Sequence, residues 1–228
     1  YCSNDDENGT NGYLMSSITC FSTDDLKNWT DHGVVFRANT TSWASLTWAP
    51  SAISNQSKVY LYFANGAGSI GVATSSVPTG PFTDARGSAL INGSTPGAST
   101  PTQWLFDPCA FVDTDGQAYL YFGGQYPTNA RVISLSANLT SVSGTATEMF
   151  ATNFFEASYL HKRNAGASTL ISSVPAGAGL SGPSQLKTNI QIPSIVAARS
   201  ALYFLPDRLL VRDFREACRL WQGPPRDE

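Results

Sequence analysis

The sequence has few charged residues and only two histidines. Asp, Glu, Lys and Arg make up 14% of the 228 residues, and the formal net charge is −3. Nucleic acids and anionic membranes are bound through clustered Lys and Arg, so neither is an expected partner. No apolar run approaches the roughly 20 residues of a transmembrane helix. His32 and His161 lack cysteine neighbours at zinc-site spacing, and we expect neither a metal nor another cofactor.

Cysteine is also scarce and does not decide the redox compartment. The four cysteines allow three disulfide connectivities, which the sequence alone does not separate. Cys2 and Cys20 fall on segments that we predict to be neighbouring strands. A disulfide between them and buried free thiols are both open as alternatives.

Glycosylation sequons favour an extracellular protein. Six Asn-x-Ser/Thr triplets begin at Asn8, Asn28, Asn39, Asn55, Asn92 and Asn138. The low lysine content and the abundant Gly and Ser point the same way. The chain begins at Tyr1 without a basic-then-apolar leader. We therefore expect a secreted glycoprotein whose export signal has been removed or lost. We also expect a monomer.

A strand unit repeats along the chain. Its copies begin at Trp48-Ala-Pro, Phe106-Asp-Pro and Phe155-Glu-Ala, and the first two continue into Tyr-Leu-Tyr-Phe at 60–63 and 119–122. The copies lie roughly 50 to 60 residues apart, which indicates a repeated supersecondary unit. Within each unit, short aromatic and β-branched runs are separated by turn residues, as in antiparallel meanders.

This unit predicts an all-β fold built from the four-stranded blades of a β-propeller. We expect an incomplete propeller of about three to four blades over residues 1–164. We expect residues 165–228 to be an irregular tail, and the spacing of apolar residues over 207–221 predicts a short helix there. The tail is either a cap on the propeller or sequence foreign to the fold.

Two short motifs resemble ligand-binding signatures but lack the neighbouring residues that such sites require. Gly66-Ala-Gly-Ser-Ile-Gly71 has the letters of a dinucleotide-binding fingerprint, but no helix follows it before Pro78. Asp113-Thr-Asp-Gly116 resembles the start of a calcium loop, but the bidentate glutamate expected further along is absent. We predict a hairpin turn there.

Asp107 and Glu156 occupy the same place, the start of the innermost strand, in two successive units. Innermost strands line the central channel of a propeller, so we expect both acids to face one axial cavity. One carboxyl group can protonate a leaving oxygen while its negative neighbour raises its pKa. Aromatic walls would pack against sugar rings. The candidates for these walls are Trp48, Trp104, Phe106 and Phe155.

The motifs resemble glycoside hydrolase family 43 over about residues 1–164. The matching segments are Trp48-Ala-Pro50, Phe106-Asp-Pro108, Asp113-Thr-Asp-Gly-Gln-Ala-Tyr-Leu120 and Phe155-Glu-Ala-Ser-Tyr-Leu160. The resemblance implies a five-bladed propeller that hydrolyses arabinofuranosyl or xylosyl linkages in arabinan, arabinoxylan or xylo-oligosaccharides with inversion. It also implies that Glu156 is the general acid, that Asp107 orients it and raises its pKa, and that Trp48 lines a sugar subsite.

The sequence departs from the family at the general base. That residue is an Asp at the start of the first inner strand, and this sequence starts after that point. Asp5 and Asp6 are the nearest replacements, although they follow the strand. We therefore expect impaired hydrolysis by the chain as written.

Two other functions remain as alternatives. A non-catalytic carbohydrate-binding propeller would use the same aromatic residues without cleaving the sugar. Fructan-cleaving relatives have similar propellers, but their Arg-Asp-Pro and Glu-Cys motifs are replaced here by Phe106-Asp-Pro and Phe155-Glu-Ala.

Overall fold

The computed structural model describes residues 1–4, 13–55, 57–98, 103–125, 130–149, 154–163 and 167–173. Over those ranges the chain forms antiparallel strands in four sheets, and the one helical element is the 3-10 turn Ala38–Thr40. Among these residues, no helix has the length and apolar character needed to cross a membrane.

The sheets follow one another along the chain. The first contains β1 (Cys2–Asn4), β2 (Ser17–Ser22) and β3 (Thr30–Arg37). The second contains β4 (Trp48–Ser54), β5 (Val59–Asn65), β6 (Ser69–Ser75) and β7 (Thr83–Asp84). The third contains β8 (Cys109–Val112), β9 (Ala118–Phe122), β10 (Arg131–Leu135) and β11 (Val142–Glu148). The fourth pairs β12 (Glu156–Arg163) with β13 (Ala167–Ser173).

Each of the first three sheets is a meander whose spatial order equals its chain order. Short turns join β5 to β6, β8 to β9 and β10 to β11. One of them is the predicted hairpin turn between β8 and β9, where the Gly116 N–H donates to the Asp113 carbonyl oxygen at 2.9 Å. The sheets are three blades and the first two strands of a fourth, so the predicted all-β, incomplete propeller is confirmed.

Strand β5 is buried on both of its faces because it lies between two blades. Alternate residues of a strand point to opposite faces. Tyr60 and Tyr62 pack into the cluster shared with the third blade. Val59, Leu61 and Phe63 pack into the cluster shared with the first blade. This explains why β5 is a continuous apolar run in the sequence rather than an alternating one.

The cysteines do not form the suggested Cys2–Cys20 disulfide. The two residues do lie on the neighbouring strands β1 and β2, but Cys2 stands opposite Thr19. Adjacent residues of a strand point to opposite faces, so this register turns the Cys20 side chain away. Cys20 and Cys109 are buried free thiols. The free-thiol alternative therefore holds at both positions.

Several further sequence expectations can be compared with the structure. A strand, β6, begins at Ser69, where a dinucleotide-binding fold would require a helix. Strand β13 extends the regular structure beyond residue 164, the predicted end of the propeller segment. The helix predicted over 207–221 lies outside the described residues, as do Asp5 and Asp6.

Candidate active site

Asp107 and Glu156 stand at the starts of two neighbouring inner strands. Asp107 precedes β8 by two residues, and Glu156 is the first residue of β12. The Asp107 Oδ2 accepts a hydrogen bond of 2.8 Å from the backbone N–H of Ala157. This bond joins the Asp107 carboxylate to the residue next to Glu156. The structure thus brings the two predicted acids together, while their catalytic roles stay predictions.

The backbone is strained where these inner strands begin. Asp107 has φ 50°, and Ala157 has φ 61°. Ala49, at the matching place in the second blade, has φ 43°. Each such conformation costs roughly 1–3 kcal/mol for a residue with a side chain. The pairing register between β12 and β13 also shifts between Glu156 and Tyr159. Such an irregularity changes the direction in which nearby side chains point. A backbone kink therefore lies at Asp107 itself and at the residue directly after Glu156.

A sulfur contact reinforces the junction between β8 and β12. The Leu160 N–H donates to Cys109 Sγ at 3.2 Å. Burial raises the pKa of the Cys109 thiol to about 11. The thiol is therefore neutral at neutral pH, where it packs and accepts a hydrogen bond rather than acting as a nucleophile.

Three of the predicted aromatic residues form one cluster beside the acids. The Trp104 ring lies 5.2 Å from the Phe106 ring and 6.3 Å from the Phe155 ring, centroid to centroid, and both pairs are edge-to-face. Phe106 is buried, whereas Trp104 and Phe155 are partly exposed. The cluster thus leaves two partly exposed rings near the start of β12, and their role as a support for a sugar ring stays a prediction.

Trp48 has a different partner. Its ring pairs with the Tyr13 ring at 6.0 Å, and its indole N–H donates to the Tyr13 carbonyl oxygen at 2.7 Å. Trp48 nevertheless lies on β4, which is the neighbour of β8. The Ala110 N–H of β8 donates to Ser51 Oγ of β4 at 3.1 Å. Tyr13 was missed by the sequence reasoning, although an exposed aromatic residue within a Gly- and Asn-rich segment is a usable signal.

A second missed feature is the segment Gly123–Gln125, which follows β9 and contacts both acid-bearing segments. The Gly123 N–H donates to the Phe106 carbonyl oxygen, and the Gln125 N–H donates to the Phe155 carbonyl oxygen, both at 2.9 Å. The Gln103 side chain donates from Nε2 to the Gly124 carbonyl oxygen at 3.3 Å. The double glycine after the repeated Tyr-Leu-Tyr-Phe was the available signal.

The site offers acid–base chemistry on an apolar support. The Asp107 carboxylate is bonded to the residue that follows Glu156, and Phe106 and Phe155 directly precede the two acids in the chain. Within the part of the chain that the structure describes, no three His, Cys, Asp or Glu residues cluster as a metal site would require. Asp113 and Asp115 instead accept hydrogen bonds from amides of their own turn, Thr114 and Gln117.

Known proteins share this sequence over most of its length. The family model for glycosyl hydrolases family 43 matches residues 7–178. An arabinoxylan arabinofuranohydrolase of Paenibacillus polymyxa is 43% identical over 174 residues, which are 66% of this chain and 27% of that protein. A protein of the same name from Bacillus subtilis is 40% identical over 198 residues, 72% of this chain and 38% of that protein.

Solved structures share the fold. An α-L-arabinofuranosidase from Clostridium thermocellum is 46% identical with a TM-score of 0.69, covering 81% of this chain and 58% of that one. A family 43 arabinoxylan arabinofuranohydrolase from Bacillus subtilis, in complex with cellotetraose, is 37% identical with a TM-score of 0.71, covering 82% and 45%. This chain thus spans 27% and 38% of the two curated relatives. With a family match that extends over residues 7–178, the chain belongs to glycosyl hydrolases family 43.

Proposed function

We propose that this chain is part of a catalytic propeller that hydrolyses arabinofuranosyl linkages of arabinoxylan, with xylosyl linkages as the second candidate. Glu156 is the general acid, and Asp107 is the carboxylate that keeps it protonated. The hydrogen bond between Asp107 Oδ2 and the Ala157 N–H is the observation that carries the proposal, because it holds a negative charge next to the acid. Two relatives named arabinoxylan arabinofuranohydrolase support the choice of arabinose.

The reaction follows from two carboxyl groups on opposite faces of the sugar. Glu156 donates its proton to the glycosidic oxygen as the bond from that oxygen to the anomeric carbon breaks. A carboxylate base roughly 6.5–9.5 Å away takes a proton from water, whose oxygen forms the new bond and inverts the configuration. A negative neighbour disfavours ionisation of Glu156, so Asp107 keeps the proton available at neutral pH. Phe155 and Trp104 support the sugar ring.

The test is hydrolysis of arabinoxylan and of 4-nitrophenyl pentosides. We expect Glu156→Gln to lower the rate on arabinoxylan by about 10²–10⁴-fold, the usual contribution of a general acid. The loss with 4-nitrophenyl arabinofuranoside should be smaller, because nitrophenolate leaves without protonation. Asp31→Asn, which changes an exposed carboxylate on strand β3, is the control and should leave both rates unchanged. Equal losses on both substrates would contradict the role of Glu156.

The identity of the base requires its own variants. We expect weak turnover by the chain as written. Asp5→Asn and Asp6→Asn test the two nearest carboxylates. Turnover that survives both changes and vanishes in Glu156→Gln would assign the base to another group. Calorimetric binding of xylo-oligosaccharides without turnover of any pentoside would instead favour the carbohydrate-binding propeller.

We further propose that the protein is secreted, monomeric and N-glycosylated, with neutral glycans rather than nucleic acid or membranes as its partners. The five sequon asparagines within the described residues are all exposed. Three of them lie on turns at the strand ends opposite the acids, namely Asn28, Asn55 and Asn138. Glycans there would leave the substrate side open. After expression in a secreting eukaryotic host, the mass of the protein should fall on endoglycosidase treatment, and an unchanged mass would contradict glycosylation. In sedimentation experiments the protein should behave as a monomer.

A further inference from the structure

The segment Gly123–Gln125 lies between the two stretches of chain that carry the acids. Phe106, which precedes Asp107, accepts a hydrogen bond from the Gly123 N–H at 2.9 Å. Phe155, which precedes Glu156, accepts one from the Gln125 N–H at 2.9 Å. Gly123–Gln125 is therefore hydrogen-bonded to the residue before Asp107 and to the residue before Glu156.

Gly124, the middle residue, has no room for a side chain. A Cβ atom added there would overlap the Phe106 ring and lie 2.8 Å from the Phe155 carbonyl oxygen. Real Cβ atoms do not approach other atoms so closely. A methyl group would therefore force the Phe106 and Phe155 segments apart, and it would move Asp107 away from Glu156.

The Gly124 position is itself fixed through its carbonyl oxygen. The Gly124 carbonyl oxygen accepts hydrogen bonds from Gln103 Nε2 at 3.3 Å and from the Trp104 N–H at 3.5 Å. Gln103 is buried, and its Oε1 accepts from Arg131 Nε at 3.4 Å. Arg131 is paired with Glu148 at 3.8 Å, so charged groups hold the far end of this chain of contacts.

An external support is needed because the acid-bearing segments do not adopt their conformations by local preference. Asp107 and Ala157 both have positive φ, which is unfavourable for residues with side chains. Contacts with neighbouring elements must maintain these kinks. The bonds from Gly123 and Gln125 reach the residues directly before Asp107 and Glu156.

We propose that Gly123–Gln125 is a positioning element for catalysis, and that the missing side chain of Gly124 sets the separation between the Asp107 and Glu156 carboxyl groups. This inference rests on the proposed function, in which Glu156 needs a close negative neighbour. Gly124 is a positioning residue, since it acts through the two acids and not on the substrate.

The experiment measures the proton affinity of Glu156 without requiring turnover. Carboxyl-¹³C glutamate is incorporated into the full chain, and Glu156→Gln assigns the Glu156 signal in an NMR titration. In the unchanged chain we expect a Glu156 pKa above the ordinary value of about 4.3. In Gly124→Ala we expect it to fall by about one unit, because Asp107 is displaced.

Two glycines provide matched controls. Gly71→Ala places a methyl 2.5 Å from Phe63 and 2.7 Å from Trp43, so it overpacks a core far from the acids. It should lower the thermal midpoint and leave the Glu156 pKa unchanged. Gly68→Ala meets nothing within 4 Å and should change neither the thermal midpoint nor the Glu156 pKa.

Gln103→Met is a second test variant. It removes the donor to Gly124 without adding bulk, and we expect a smaller fall in the Glu156 pKa than in Gly124→Ala.

The outcomes separate the two proposals. An ordinary Glu156 pKa in the unchanged chain would overturn the proposed role of Glu156 and this inference with it. A raised Glu156 pKa that Gly124→Ala leaves in place, or alters no more than Gly71→Ala does, would overturn the positioning role alone. If Gly124→Ala does not fold, Gln103→Met decides, and an unchanged Glu156 pKa in that variant overturns the inference.

Discussion

Removing the Tyr62 hydroxyl should destabilise the propeller at neutral pH, because it removes one buried hydrogen bond. Tyr62 is 0% exposed, and its hydroxyl donates to the Leu139 carbonyl oxygen at 2.8 Å. This bond connects the second blade to the β10–β11 turn of the third. Tyr62→Phe leaves a buried carbonyl without this donor, which costs roughly 1–3 kcal/mol. For a domain of this size, a loss of about 2 kcal/mol lowers the thermal midpoint by about 4–8 °C.

At alkaline pH the stability difference between Tyr62→Phe and the unchanged chain should shrink. Burial raises the pKa of Tyr62 in the folded chain, whereas the unfolded side chain ionises near pH 10. Above about pH 10 the unfolded state therefore loses a proton that the folded state keeps, and the unchanged chain loses about 1.36 kcal/mol per pH unit through this residue. Phenylalanine has no such proton. A deficit of about 2 kcal/mol should thus vanish roughly 1.5 units above pH 10.

Urea unfolding from about pH 7 to pH 11.5 measures both effects. Tyr1 and Tyr121 also have raised pKa values, but they are present in both chains and cancel in the difference. Tyr60→Phe is the control, since its hydroxyl accepts from Asn55 Nδ2 at 3.0 Å on an exposed turn and its loss should cost less than about 1 kcal/mol. A Tyr62→Phe deficit that stays constant across this pH range would refute the reasoning.

Three further expectations concern single side chains. The Ser158 hydroxyl is buried and has no hydrogen-bond partner among the described residues, so Ser158→Ala should raise the free energy of unfolding by about 1 kcal/mol in urea titrations; a lower midpoint would contradict this. The folded pKa of Cys109, about 11, exceeds its ordinary value of 9.0, so stability should fall as pH rises from about 9 to 11, and Cys109→Ala should flatten that slope. The Trp43 indole N–H donates to Asp84 Oδ2 at 2.8 Å, so Asp84→Ala should lower the thermal midpoint by a few degrees, and an unchanged midpoint would show that water replaces the carboxylate.

The repeated strands were predictable because their signal is carried by side chains. Tyr-Leu-Tyr-Phe at 60–63 and 119–122 falls within β5 and β9. Burial on two faces produces a continuous apolar run that is visible in sequence. The acids at the heads of neighbouring inner strands were predictable for the same reason, since Asp107 and Glu156 occupy matching places in successive copies.

The sequence was less informative where backbone contacts decide the structure. The start of strand β2 at Ser17 is one example. The preceding residues bond instead to the start of the second blade, where the Thr47 N–H donates to the Met15 carbonyl oxygen at 2.8 Å. Such bonds leave little mark on residue type. The role of Gly124 was hidden likewise, because a missing side chain reveals its purpose only beside Phe106 and Phe155.

Strand β5 contributes side chains to two apolar clusters, one shared with the first blade and one with the third. The unfolding of neighbouring blades is therefore coupled through this strand. Its seven residues pair with β6 without a register shift, and both of its faces are covered. Exchange of its amide hydrogens with solvent therefore requires the first and third blades to separate from it together. In a hydrogen-exchange experiment the amides of 59–65 should mark the slowest, whole-domain unfolding event rather than a local fluctuation.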